Sequence, residues 1–172
     1  MARNRSPRKP YRPKPAAATT RLRAQPWRLE QAFAPLQDIL EHIARGGELH
    51  ATEEGAWIYV CVTQRKAYDV PATLRSYAEV FVVVRGRDSR CPDVEALREV
   101  AAEIPSGTVS DAVLQAALTC LQALRSYTAT QSADLIADAA QSVTLRAHLN
   151  AIDRLGEAET AGGAGEVSAA SA

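Results

Sequence analysis

Pro71-Ala72-Thr73-Leu74-Arg75-Ser76-Tyr77-Ala78-Glu79-Val80-Phe81-Val82-Val83-Val84-Arg85 is the stretch on which the fold turns. Read one way, Val80 to Val84 is a β-branched run fit for a buried strand. Read the other way, Leu74, Tyr77, Val80, Phe81 and Val84 recur at three and four, the spacing of one helix face. The helical pattern holds from Leu74 to Val84, and Asp69 with Pro71 supplies a start signal, so the stretch is read as a helix. The three arginines of Arg85-Gly86-Arg87-Asp88-Ser89-Arg90 then fall in a polar loop, either as a solvated turn or as an extension of a basic surface.

Upstream, the pattern changes period. Glu48 to Thr52 reads as a short strand, Glu53-Glu54-Gly55 as a turn, Ala56 to Val62 as a second strand and Lys66 to Val70 as a third. In the second strand Trp57, Tyr59 and Cys61 face one way and Ala56, Ile58, Val60 and Val62 the other. Both faces are apolar, which predicts cover on both sides, at least in part, and the aromatic pair reads as core before it reads as a binding platform.

Helices are expected on either side of this sheet. Pro26 to Arg45 carries Leu29, Phe33, Leu36, Leu40 and Ile43 on one stripe and ends at Gly46-Gly47, while Pro35 predicts a kink or a break. Asp93 to Ile104 turns Val94, Leu97, Val100, Ala101 and Ile104 inward. Ser110 caps a helix reaching about Thr128, and Ser132 caps a last one reaching Leu155, with Gly156 as its stop. The short link between these two predicts antiparallel neighbours, and their alanines permit a homodimer through residues 108–155. The expected class is α+β, mainly α: a helical body at 26–156 with a small β-hairpin or meander, a disordered arm at 1–25 and a disordered Gly/Ala/Ser tail at 157–172.

Charge is sorted along the chain. Of 20 basic side chains, nine (Arg3, Arg5, Arg8, Lys9, Arg12, Lys14, Arg21, Arg23 and Arg28) precede the first acid, Glu30. The remainder sets 11 cations against 20 acids, so a formal net charge of zero conceals a +9 lead and a −9 body. Pro7, Pro10 and Pro13 recur every third residue, the repeat of a polyproline II strip, which puts Arg8, Tyr11 and Lys14 on one edge and Lys9 and Arg12 on another. Extended cations suit a phosphate backbone, and Tyr11 suits stacking on an unpaired base. The candidate nucleic-acid-binding residues are therefore Arg3, Arg5, Arg8, Lys9, Tyr11, Arg12, Lys14, Arg21 and Arg23. Two other readings stay open: a merely solubilising terminus, and a groove ligand, because Pro7, Pro10 and Arg12 fit P-x-x-P-x-R.

Arg8-Lys9-Pro10-Tyr11-Arg12-Pro13-Lys14-Pro15, followed by Pro26-Trp27-Arg28-Leu29-Glu30-Gln31-Ala32-Phe33 and a helical body, resembles small uncharacterised bacteriophage and prophage proteins. The resemblance covers residues 7–15 and 26–36. It implies a phage-accessory setting and brings no catalytic residues with it.

The sequence offers no catalytic motif. G-x-S-x-G, phosphate-binding glycine loops, H-E-x-x-H, C-x-x-C and the calcium loop are all missing. Cys61, Cys91 and Cys120 are too far apart for a zinc pattern and odd in number, so they read as small apolar side chains. His42 reads as a surface histidine, not a ligand. No enzyme activity, cofactor or metal is expected. Apolar runs such as Ala56 to Val62 fall far short of a membrane span, and prolines with further cations stand where a secretory signal would place its apolar stretch. The expected location is the cytoplasm, of the host cell if the chain is phage-encoded. Two functions follow: binding of nucleic acid through the arm, or capture of a host protein by acids of the body such as Glu95, Glu99 and Glu103.

Overall fold

The computed structural model describes residues 21–61 and 65–163. Five α-helices and one small sheet fill them: α1 (Pro26–Ala44), β1 (His50–Ala51), β2 (Trp57–Cys61), β3 (Lys66–Asp69), α2 (Val70–Arg87), α3 (Glu95–Glu103), α4 (Asp111–Thr130) and α5 (Ala133–Gly163). A 3₁₀ turn, Leu22–Ala24, precedes α1, and another, Ile104–Ser106, follows α3. The architecture is the expected α+β class, mainly α.

The deciding stretch is a helix. Asp69 accepts a hydrogen bond from the Ala72 N–H at 3.1 Å and Pro71 sits in the first turn, where its missing N–H leaves nothing unpaired. Val70, Leu74, Ala78, Phe81 and Val84 are buried along one face. Burying that face against two helices outweighs the modest helix penalty of the valines. The helix continues through Arg87, so Arg85 and Arg87 stand on its last turn and not in a loop.

The core lies where α1, α2, α3 and α4 meet. Leu36, Ile39, Leu40, Leu74, Leu97, Val100 and Leu124 are fully buried, and the rings of Phe33 and Phe81 approach to 6.0 Å between α1 and α2. α1 runs unbroken through Pro35. Phe33 on one side of the proline and Leu36, Ile39 and Leu40 on the other all bury against this core, and that packing holds the turn together where local propensity would break it. At its end Gly46 takes φ +73°, and Gly47 lies so close to the His42 ring that a β-carbon there would sit 2.3 Å from it.

The sheet is an antiparallel meander in the order β1-β2-β3, with Tyr59 opposite Tyr68 and His50 opposite Ile58. Its two faces are covered unequally. Cys61 is buried and Trp57 and Tyr59 pack against the core, as an aromatic strand face should, but Val60 on the other face is 50% exposed. Ala56 and Ile58 on that face are half-buried, so its cover is partial.

Ser110 caps α4 through the Val113 N–H at 3.4 Å, and Ser132 caps α5 through the Leu135 N–H at 3.2 Å. Two corrections concern the C-terminal helix. α5 does not stop at Gly156 but runs to Gly163. Its main partner is α2, not α4, because the apolar face of α4 is already occupied by α1 and α3. The expected tail at 164–172 and the arm at 1–20 lie outside the described residues.

Candidate nucleic-acid interface

The described end of the basic lead begins at Arg21. It was expected to be disordered as far as residue 25, and the structure corrects this. Leu22 is 6% exposed, wedged between α1 and α4, and its N–H donates to the Gln131 carbonyl at 3.0 Å while Arg21 pairs with Ser132 in an isolated antiparallel bridge. One apolar residue among cations thus anchors the lead to the body. Arg21 and Arg23 on either side of it are exposed. Arg3, Arg5, Arg8, Lys9, Tyr11, Arg12 and Lys14 lie outside the described residues.

Pro26 opens α1, and the next residue is an exposed aromatic, Trp27, at 57%. The guanidinium of Arg28 stacks over its ring, 5.1 Å from the centroid. Sequence reasoning assigned the stacking role to Tyr11 and missed Trp27. The signal was present: the helical stripe of α1 begins at Leu29, and Trp27 stands off it.

No carboxylate lies within ion-pairing distance of Arg21, Arg23 or Arg28 among the described residues. The first acid in the chain, Glu30, is held by Arg125, which also donates to the Gln37 side chain at 3.2 Å. The lead is therefore not neutralised by its nearest acid. Exposed, unpaired guanidinium groups beside an exposed indole can contact phosphates and stack a base.

The arginines at the end of α2 behave differently. Arg85 pairs with Asp93, and Arg90 grips Asp88 through two bonds of 2.9 and 3.0 Å, with its own N–H on the same carboxylate at 3.1 Å. Tyr127 adds its hydroxyl to Asp88 at 3.0 Å. Donation by the Arg90 side chain, then by its backbone, holds the Asp88 carboxyl well below the usual carboxylate range. Arg87, on the same last turn of α2, is exposed and has no carboxylate within ion-pairing distance among the described residues, so two of the three arginines of this segment are matched and one is not.

The histidine and cysteine candidates are held in the packing of the body. His42 is half-buried, donates from Nε2 to the Glu48 carbonyl at 3.0 Å and packs on Tyr59 at 4.9 Å. Cys61 and Cys91 are buried and Cys120 half-buried; burial pushes the Cys91 and Cys120 thiols up to about 11, the opposite of an activated nucleophile. Among the acids of the body, Glu95 faces Arg98 at 3.6 Å, Glu103 accepts the Ser110 N–H at 2.8 Å, and Glu99 is exposed. No group of three or more His, Cys, Asp or Glu side chains among the described residues could hold a metal ion, and none of the described helices is long and apolar enough to cross a membrane.

No protein-family model, curated protein or solved structure matches the chain.

Proposed function

We propose that this protein is a non-catalytic, nucleic-acid-associated accessory protein of the bacteriophage kind that its opening resembles, binding phosphates without base preference through residues 1–28. The observation that carries the reading is the sorting of charge: nine cations before the first acid, with the described ones exposed and unpaired. Counterion release makes such a lead seek polyanions at any sequence. Trp27 and Arg28 mark where the lead meets the body and supply a stacking surface there. A second copy, joined through the 108–155 helices at the α5 face where Leu145 and Leu149 stand 61% and 52% exposed, presents two leads and raises avidity.

The test is a salt titration of binding to a short duplex and to a single strand. With up to nine phosphates neutralised, log Kobs should fall against log salt with a slope steeper than about −5 on duplex. A flat dependence overturns the reading. So does a pull-down from host lysate in which nuclease treatment leaves the captured protein in place, since the acidic body would then be the working surface.

A further inference from the structure

α5 meets α2 along its first turns and then leaves the body, so that residues 144–151 are exposed. Between α5, α2 and α1 this leaves an open cavity of about 580 Å³. Its walls are apolar, with Leu29 and Phe33 from α1, Phe81 from α2, and Ile136, Ala140 and Val143 from α5. Both the volume and the lining belong to the range of small-molecule sites set between helices.

The polar groups on its surface fall into two sets. Tyr77 donates to the Ala32 carbonyl, and Thr144 bonds back to the Ala140 carbonyl at 3.0 Å, so both are satisfied within the protein. Thr128 is not. It is 1% exposed, it lines the cavity, and its hydroxyl has no hydrogen-bond partner among the described residues, whereas Thr119 on the same helix bonds back to the Gln115 carbonyl at 2.9 Å. A buried hydroxyl left unpaired is costly, and a ligand oxygen would relieve it. Charge points the same way: Arg28, exposed and without a carboxylate partner among the described residues, lines the cavity, and no described acid does.

We propose that this cavity binds a single-chain amphiphile with an anionic head, a long-chain carboxylate, whose chain lies between α1 and α5 while Thr128 donates to a head oxygen and Arg28 faces its charge. The occupant is not the basic lead, because an apolar cavity that already presents Arg28 offers nine cations and their prolines no complement. A helix of a second copy on the Leu145–Leu149 face leaves the site open, since 100° per residue sets those leucines roughly opposite Ala140 and Ala147 on α5. The site shares Arg28 with the lead, while Thr128 and the apolar walls belong to the body alone.

Calorimetry on the full chain tests it, with octanoate, decanoate and dodecanoate as probes below their micellar concentrations, in about 0.3 M salt to screen the lead. Affinity should rise roughly threefold to fourfold per added methylene, as burial of the chain requires. Dodecanoate should bind at least about tenfold more tightly than dodecyltrimethylammonium, since one head meets Arg28 as a counter-charge and the other as a like charge. Thr128→Val should weaken dodecanoate about tenfold without lowering the melting temperature of the free protein, because it removes an unpaired hydroxyl and keeps the shape. Arg28→Gln should abolish the preference for dodecanoate over dodecanol. Ala140→Phe should fill the cavity and eliminate binding while the circular dichroism is retained. Absence of dodecanoate binding, equal binding of the cationic amphiphile, or an unchanged affinity in Thr128→Val overturns the proposal. So does a dimer in sedimentation equilibrium that Ala140→Phe dissociates, for then a second copy fills the cavity. None of these results bears on the salt dependence of nucleic-acid binding, so the two readings fail separately.

Discussion

Two groups of arginines sit on this protein under opposite conditions. Arg21, Arg23 and Arg28 are exposed at the start of the described chain with no carboxylate within ion-pairing distance among the described residues, whereas Arg85 and Arg90, at the end of α2, are paired with Asp93 and Asp88. Composition alone makes the two groups look alike, since each is three arginines within eight residues, and of the second group only Arg87 is left without an acid among the described residues. The difference lies in which acids are near. Asp88 and Asp93 are sequence neighbours of the second group, while the one acid close to the first, Glu30, is turned away to Arg125. Cations matched locally stabilise a corner of the fold, and cations left unmatched are available to a polyanion.

The sharpest way to break this contrast is to remove each group. Deleting residues 1–20 keeps Leu22 in its socket and leaves three of the nine cations of the lead. Affinity for duplex in about 0.1 M salt should drop by about a thousandfold, and the salt slope should flatten by about 5. Replacing Arg85, Arg87 and Arg90 together by Gln should change affinity less than about twofold while lowering the thermal midpoint, because two ion-paired partners are orphaned. Similar losses from the two variants would erase the distinction.

Leu22 comes next. Leu22→Ala empties a buried site between α1 and α4 and should cost about 2–3 kcal/mol in denaturant unfolding. The cations remain, so the salt slope should stay as it is. A change in slope would mean that the lead must be anchored in order to bind. Trp27→Ala should do the reverse. At 57% exposure the indole contributes little to stability, within about 0.5 kcal/mol, but binding to a single strand should weaken about tenfold if a base stacks there. Duplex binding, whose bases are already stacked, should be spared.

How far the sequence carried follows from the range of the forces involved. Helix faces and caps are local, so Asp69, Ser110 and Ser132 marked their helices and the stripe from Leu74 to Val84 outweighed the valines. Partner choice is not local. The short α4–α5 link predicted neighbours, yet α5 lies on α2 because α4 had already spent its apolar face elsewhere. Pro35 and Gly156 are breakers by propensity, and neither ends its helix. At the candidate site, the count of cations was legible, but the wedge at Leu22 was not, since a single leucine among arginines has no period. Nor was the cavity, because it is what remains when α5 parts from α1, and no residue of it announces that gap.

The smallest expected effect concerns Asp88, and its sign follows from the pairing. Hydrogen bonds from the Arg90 side chain and backbone lower its folded pKa below the unfolded value of about 3.9. Above that value the ionised carboxylate favours the folded state in full, and the contribution drains away as pH falls below it. Asp93, lowered first by the Glu95 N–H and then by Arg85, behaves in the same sense. Asp88→Asn should therefore lower the melting temperature near neutral pH and make its decline between about pH 4 and pH 2 shallower than in the parent chain. At the alkaline end Tyr127, whose hydroxyl burial and then Asp88 push up to about 12, should titrate lower in the variant but stay above 10, because the burial persists. Parallel acid profiles for variant and parent would show that Asp88 is not ion-matched in solution, and the arginines of that corner would then join the unpaired group.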